Sequence, residues 1–335
     1  MQQPVDATQP APPNPSEPAP EATPEPGPVA LVAGESLVDV VRRPDGTVEE
    51  RAGGSAANVA VALVRLGRPT WFATALADDR LGGILAAHLG RDGVRLAADP
   101  EVIDHTSSAV ATIGADGAAS YEFDLEWRLG AVHVPDADPG WLHVCSIGAV
   151  LAPGANDVLD LVRRERLRAL VSYDVNARPA ITGTGAEVVT QVEAVVAEAD
   201  VVKASDEDLA ALWPDLDEAA AVARLRALGP ALVVVTRGAE GATCHHPGGE
   251  VTVPAVRDLG VVDTIGAGDT LAAAFISALW DLGVVGAQHR DRLAGLGEGD
   301  LRHALAYAAR AAAVTVSRPG ADPPYLAEVE GPADS

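Results

Sequence analysis

Short apolar runs alternate with longer stretches of helical period over most of this chain. Residues 29 to 34 are wholly apolar and end in Gly34, the pattern of a parallel strand buried on both faces. A strand over 71–76, a helix over 81–91 and a strand over 94–97 follow. From Trp141 the alternation is regular, with strands expected near 141–145, 170–174, 200–203 and 231–236 and helices near 155–168, 184–198 and 217–228. This order predicts an α/β fold: a mostly parallel sheet with helices on both faces and ligands beyond the carboxyl ends of its strands.

Two segments keep a different period. Between 36 and 52 polar and apolar positions alternate around a turn at Pro44-Asp45-Gly46, and between 106 and 125 they do so around Asp116-Gly117. Both read as β-hairpins. Interrupting a β/α chain, they suit a small β lid hinged over a site. Residues 286–300, rich in Gly, Arg and Asp, read as a surface loop, and a helix is expected over 301–313. The first 28 residues are rich in proline and carry no Lys or Arg, so they are expected to be disordered. One domain over 29–325 remains, with nothing in the 326–335 tail that demands order.

Composition narrows the partners. With 335 residues and 48 % hydrophobic content the chain can bury a core. A net charge of −24 argues against nucleic acid and anionic membrane as partners, since both would be repelled. No apolar run is long enough to span a membrane and no basic, apolar-centred leader opens the chain, so a cytoplasmic location is expected. Cys145 and Cys244 lie in apolar or strand-like contexts and are expected to be reduced core residues. Lys203 is the single lysine; every other basic residue except histidine is arginine.

The strongest chemical signal runs from Asp263 through Thr264, Ile265, Gly266, Ala267 and Gly268 to Asp269, ahead of an Ala/Leu-rich helix. The first N–H groups of that helix lack intrahelical partners and mark the positive end of its dipole, so Gly266, Ala267 and Gly268 can present amides to an anion. A carboxylate in the first turn, Asp269, is placed to take a proton from a hydroxyl while those amides hold a transferred group. The stretch taken alone also fits a core helix capped by Asp269 after a Gly-rich loop. Gly53 and Gly54, with Asn58 near the start of an apolar helix, suit ligand contact or capping. Asp39, where the first hairpin leaves the core, is a turn-proximal surface carboxylate or a ligand for hydroxyls. Three polar loops follow strands: Asp174 to Pro179, including Asn176 and Arg178; Lys203 to Asp208, including Ser205; and Thr236 to Gly241, including Gly238.

From about residue 29 to 325 the chain resembles the ribokinase-like, phosphofructokinase B-type carbohydrate kinases, through the Asp263–Asp269 stretch and through Gly53-Gly54-Ser55-Ala56-Ala57-Asn58. The segments 34–41, 174–179 and 317–324 are most similar to bacterial fructokinases. The resemblance implies an ATP- and Mg²⁺-dependent kinase of a small sugar, D-fructose first, with ribose, 2-keto-3-deoxygluconate and nucleosides as alternatives. Asp269 would be the base and Gly266, Ala267 and Gly268 the anion hole. Asp39, Gly53, Gly54, Asn58 and Arg178 would hold the sugar, and Lys203, Ser205, Thr236, Gly238 and Gly241 would line the ATP site. Asp263, Ile265 and Gly320 would ligate a monovalent cation such as K⁺, and the lid would pair two chains as a homodimer. Two departures stand out. Ser205-x-x-Asp208 replaces the family's frequent Asn-x-x-Glu near the nucleotide phosphates, which weakens the placement of magnesium. Pro324 stands where ribokinases often carry a serine, which implies weaker potassium activation or none. Three Phe and four Tyr give little sign of a base-stacking pocket, against a nucleoside substrate. A rival of another class is a catalytically silent sugar- or nucleotide-binding regulator.

Because the first 28 residues bury nothing in this reading, their removal is expected to leave melting temperature and turnover nearly unchanged. A fall of more than a few degrees (roughly 1 kcal/mol for a chain this size) would show that the segment docks on the body.

Overall fold

The computed structural model describes residues 27–330 apart from 115, 116, 136 and 258. The proline-rich segment before residue 27 and residues 331–335 lie outside the described residues, as does Asp116 of the second hairpin's expected turn.

The apolar β1 (Val29–Ala33) opens the chain, and the first hairpin, β2 (Leu37–Arg42) and β3 (Val48–Gly53), leaves its carboxyl end. Helix α1 (Ser55–Arg65) brings the chain back to β4 (Thr70–Ala73), followed by α2 (Arg80–Arg91) and the two-residue β5 (Arg95–Leu96). The second hairpin is β6 (Ser108–Ile113) and β7 (Ala119–Asp124). Then the β/α units run in sequence: β8 (Pro139–Cys145), α3 (Gly154–Glu165), β9 (Leu170–Asp174), α4 (Pro179–Thr182), α5 (Ala186–Val196), β10 (Val201–Ser205), α6 (Asp206–Leu212), α7 (Glu218–Ala227) and β11 (Leu232–Thr236). A last hairpin, β12 (Ala242–His246) and β13 (Gly249–Val253), precedes α8 (Ala267–Asp281), α9 (Arg290–Ala294), α10 (Glu298–Val316) and α11 (Leu326–Glu330).

Nine strands form one sheet in the order β13-β12-β11-β10-β9-β8-β1-β4-β5, parallel from β11 to β5 and antiparallel at β12 and β13. On one face α1, α8 and α10 pack through Val59, Leu63, Phe275, Ile276 and Leu305; on the other α3, α5 and α7 pack through Val158, Val195 and Leu225. Helix α8 is apolar nearly all round and is buried accordingly. Strand order reverses at β1, which lies between β4 and β8 although the chain visits β4 first. At such a switch point the flanking connections diverge and leave a crevice at the carboxyl ends, where the site is found.

The two hairpins pair through parallel β2 and β6 into a separate four-stranded sheet, β3-β2-β6-β7. Val38 and Val40 on its inner face pack on Leu85 of α2, joining lid to body.

Three segments differ from the sequence expectation. β12 and β13 extend the sheet beyond the strands expected, because Thr243 and His245 break the apolar run and the buried apolar residues are only the alternate Ala242, Cys244, Val251 and Val253, with Thr243 and His246 buried as polar groups. Residues 286–300 are more than a loop: Leu293 of α9 is buried, and α10 starts at Glu298, with Glu298 and Asp300 in the first turn where its dipole favours acids. The expected tail from 326 begins with α11, whose Val329 is buried against the core. Cys145 and Cys244 are buried and free, and no described helix is long and apolar enough to cross a membrane.

Candidate active site

Asp269 lies in the first turn of α8 and is only 7 % exposed. Its carboxylate does not cap the helix. Ser55 Oγ donates to Oδ1 at 2.6 Å and Asn58 Nδ2 donates to Oδ2 at 2.8 Å, both from the first turn of α1. Asn176 Nδ2 donates to the same Ser55 Oγ at 2.9 Å, and Arg178 Nη1 donates to Asn176 Oδ1 at 2.7 Å. A chain of donors therefore converges on one carboxylate, and Asn176 adopts a left-handed φ of 37° where it joins that chain.

The helix start supplies the complementary surface. Gly266 sits at φ 76°, and a Cβ there would lie 2.6 Å from the Ala321 side chain, so both backbone sterics and packing demand glycine. The Ala267 N–H reaches Thr264 O at 3.3 Å, whereas the N–H groups of Gly268 and Asp269 have no acceptor among the described residues. Of the three amides expected to face an anion, that of Ala267 is therefore already engaged, while those of Gly266 and Gly268, with the next one at Asp269, have no acceptor among the described residues. Amides at a helix N-terminus without an acceptor form an anion site.

Residues expected to hold a sugar gather on the lid side. Gly54 is the N-cap of α1 with φ 101°, and a Cβ there would lie 2.8 Å from Glu35 O. The Gly53 backbone lies beside Asp39, whose Oδ2 would be 2.4 Å from an added Cβ. Asp39 is open to solvent but crowded by protein, which raises its carboxyl above the ordinary range against the opposing charge of Arg178.

Deeper in the crevice, Lys203 donates to both oxygens of Asp174 at 2.9 and 2.8 Å, and a Cβ on Gly268 would lie 3.2 Å from its Nζ. Burial pushes Asp174 up to about 6, with the Lys203 ammonium pulling the other way. Asp208 spends both oxygens on the Ala177 and Ser205 N–H groups at 2.8 and 2.7 Å, and Ser205 Oγ accepts from its N–H, a capping box at the start of α6. Thr236 is in register with Ser205 on the neighbouring strand. Gly238 is exposed in the loop that follows, and Gly241 is buried where a Cβ would meet Val253 O at 2.1 Å. These three have no hydrogen bond to the Asp269 group among the described residues.

The loop carrying Asp263 and Ile265 meets Gly320 of the segment after α10. The Ile265 and Gly320 N–H groups donate to the Asp263 carboxylate at 3.0 and 2.8 Å and hold it below the usual carboxylate range. Both of its oxygens are thereby engaged.

Glu35, missed by the sequence reading, is buried one residue beyond Gly34 and accepts from the Gly148 N–H at 2.8 Å. Burial raises it to about 7, aided by Asp269 and opposed by the Gly148 N–H and Arg178. A charged residue directly after a wholly apolar strand was the available signal. Ser55 and Asn176 stood inside motifs already singled out, but only the structure brings them to Asp269.

Over residues 30–327 the sequence matches the pfkB family of carbohydrate kinases, and the chain belongs to that family. It is 36 % identical over 261 residues to a fructokinase of Rhizobium leguminosarum bv. trifolii, across 74 % of this chain and 79 % of the relative. It is 30 % identical over 267 residues to an aminoimidazole riboside kinase of Salmonella typhimurium, across 75 % and 82 %. Among solved structures, Xylella fastidiosa fructokinase with bound ATP gives a TM-score of 0.77 at 27 % identity, covering 90 % of this chain and 97 % of that one. A double-mutant fructokinase of Vibrio cholerae O395 with fructose, ADP and potassium bound gives 0.70 at 25 %, covering 88 % and 94 %. The expected carbohydrate-kinase membership and ribokinase-like α/β fold are borne out.

Since Glu35 titrates near 7 in the folded chain and near 4.5 otherwise, the folded state binds the extra proton between those values. Its contribution to stability is present at low pH and is lost as pH rises through about 7. Glu35→Gln is expected to remove that loss, raising the melting temperature relative to wild type above pH 7 and narrowing the difference near pH 5. A pH-independent difference between the two proteins would contradict the assignment.

Proposed function

We propose that this chain is an ATP-dependent fructokinase that transfers the γ-phosphoryl group to the primary hydroxyl of D-fructose. The observation that carries the reading is the Asp269 carboxylate, fixed at both oxygens by Ser55 and Asn58, beside the unengaged Gly268 and Asp269 amides. Asp269 takes the hydroxyl proton as the oxygen attacks phosphorus, and the amides stabilise charge on the transferred group. The sugar lies under the four-stranded lid against Asp39, Gly53, Gly54 and Arg178. Asn58, expected to hold sugar, also orients the base. The nucleotide lies along the ends of β10 and β11, with Lys203, Ser205, Thr236 and Gly238 along it. The identity to fructokinases supports the choice of sugar.

The described residues contain no cluster of three His, Cys, Asp or Glu side chains fit to cage a metal. Asp174 and Asp208 are committed to Lys203 and to backbone N–H groups. That donor set fits Mg²⁺ arriving on the ATP phosphates and keeping most of its waters, where it supplies charge neutralisation. The engaged Asp263 carboxylate supports a minor role for potassium where its loop meets Gly320. The exposed strand β7, with Tyr121 and Phe123 stacked in solvent, supports pairing of two lids in a homodimer.

The test is ADP release from Mg·ATP with D-fructose, D-ribose, 2-keto-3-deoxygluconate, adenosine and fructose 6-phosphate. Fructose is expected to give the highest kcat/KM by about tenfold or more, the size of discrimination that one or two hydroxyl contacts supply. A tenfold preference (~1.4 kcal/mol) for ribose or adenosine would overturn fructose as substrate and leave the kinase chemistry standing. No release with any acceptor would favour the silent regulator.

A further inference from the structure

Helix α1 grips the reaction centre with its first turn, and we infer that its last turn sets the same centre from behind: Arg65 is a positioning residue for phosphoryl transfer, acting through the loop between α10 and α11. The inference rests on the reading of Asp269 and the neighbouring amides given above.

The Arg65 side chain is only 8 % exposed. Its Nε and Nη2 donate to Asp92 at 2.9 and 3.2 Å, while Nη1 donates to Asp322 Oδ1 at 2.5 Å and to Pro323 O at 2.7 Å. The Tyr325 ring covers the guanidinium at 4.8 Å, and the Tyr325 hydroxyl donates to Asp92 at 2.9 Å. Burying a charge costs several kcal/mol before its partners compensate, and an apolar side chain of similar volume would join the same elements as well or better. What the guanidinium adds is direction. Its planar fork fixes where Asp322 and Pro323 lie relative to α1.

Those residues belong to the segment that shapes the anion site. Gly320 N–H holds Asp263 Oδ2 at 2.8 Å, and Ala321 packs so closely on Gly266 that a Cβ there would come within 2.6 Å. Just upstream, Val316 O accepts from the Val262 and Asp263 N–H groups at 2.7 and 3.1 Å, and Thr315 Oγ1 donates to Thr270 Oγ1 at 2.9 Å. Moving residues 320–323 therefore moves Gly266 and Asp263, and with them the directions of the Gly268 and Asp269 amides. Ser55 and Asn58 fix the Asp269 carboxylate from the same α1, about 10–15 Å along its axis from Arg65. One rigid helix thus registers the base and, through the loop, the amides that face it.

The test compares wild type, R65M, R65K, D322N and R65M/D322N in the same ADP-release assay, well below each melting temperature. R65M is expected to lose about ten- to a hundredfold in kcat, the scale of a small misplacement of reacting groups, with KM for sugar and ATP changed less than threefold. R65K should recover part of the loss, D322N should fall in the same direction by less, and the double variant should be no worse than R65M alone. A structural role alone would lower melting temperature and spare kcat. Folded R65M with kcat within twofold of wild type (under ~0.5 kcal/mol) would overturn the inference; should R65M not fold, D322N at wild-type kcat would do so. Absence of turnover in the wild type would instead overturn the reading of the reaction centre.

Discussion

The structure turns on a buried carboxylate that the proposed reaction requires to accept a proton. A buried acid costs free energy unless donors surround it, and most arrangements of donors would leave no lone pair facing a substrate. Placing Asp269 in the first turn of α8 and meeting it with two side chains from α1 resolves the conflict. Ser55 and Asn58 each take one oxygen, and the helix amides beside it remain free for a second anion. Both helices must then start at the same crevice, which the reversal of strand order at β1 provides.

The remaining polar groups fall into place around that choice. Lys203 and Asp174 form an ion pair beneath Gly268, with Asp208 and Asp269 close enough to add negative charge, so in the proposed reaction an anionic nucleotide would be held by amides and its own cation. Asn176 and Arg178 extend the donor chain from Ser55 toward the lid side, where Asp39 and Glu35 both feel the Arg178 charge. The lid packs on α2 through a small apolar cluster of its own, separate from the main core.

How much of this could be read from the chain depended on how local the determinant is. The Gly266–Asp269 stretch and the Gly53–Asn58 stretch announce themselves because glycine backbone, small residues and a lone polar group occur within a few positions of an apolar helix. The β/α alternation and both lid hairpins were legible for the same reason. The meeting of Ser55 with Asp269 was not, since the two are 214 residues apart and only tertiary packing joins them. Glu35 was hidden by position: it lies between the apolar strand and the first hairpin, and a carboxylate at such a junction is ordinary until burial makes it costly. The β12–β13 hairpin and helix α9 escaped because in each the buried apolar residues are only alternate or single ones, as Leu293 is, leaving too weak a periodicity. Asp263 and Gly320 were expected to share a cation, and the structure shows why they lie together: the Gly320 N–H binds the Asp263 carboxylate directly.

The central claim is that Asp269 is a base positioned by α1 rather than a structural anchor, and Asp269→Asn measures it most directly. The amide keeps the shape and can still accept from Ser55, while its nitrogen faces the Asn58 donor, a loss of about 1–2 kcal/mol that should leave the protein folded. With folding verified by thermal melting, kcat for fructose phosphorylation is expected to fall about 10²- to 10⁴-fold with KM for ATP little changed, because the amide cannot take the hydroxyl proton. A folded Asp269→Asn protein that keeps more than about a third of wild-type kcat, a barrier change under ~1 kcal/mol, would contradict the account.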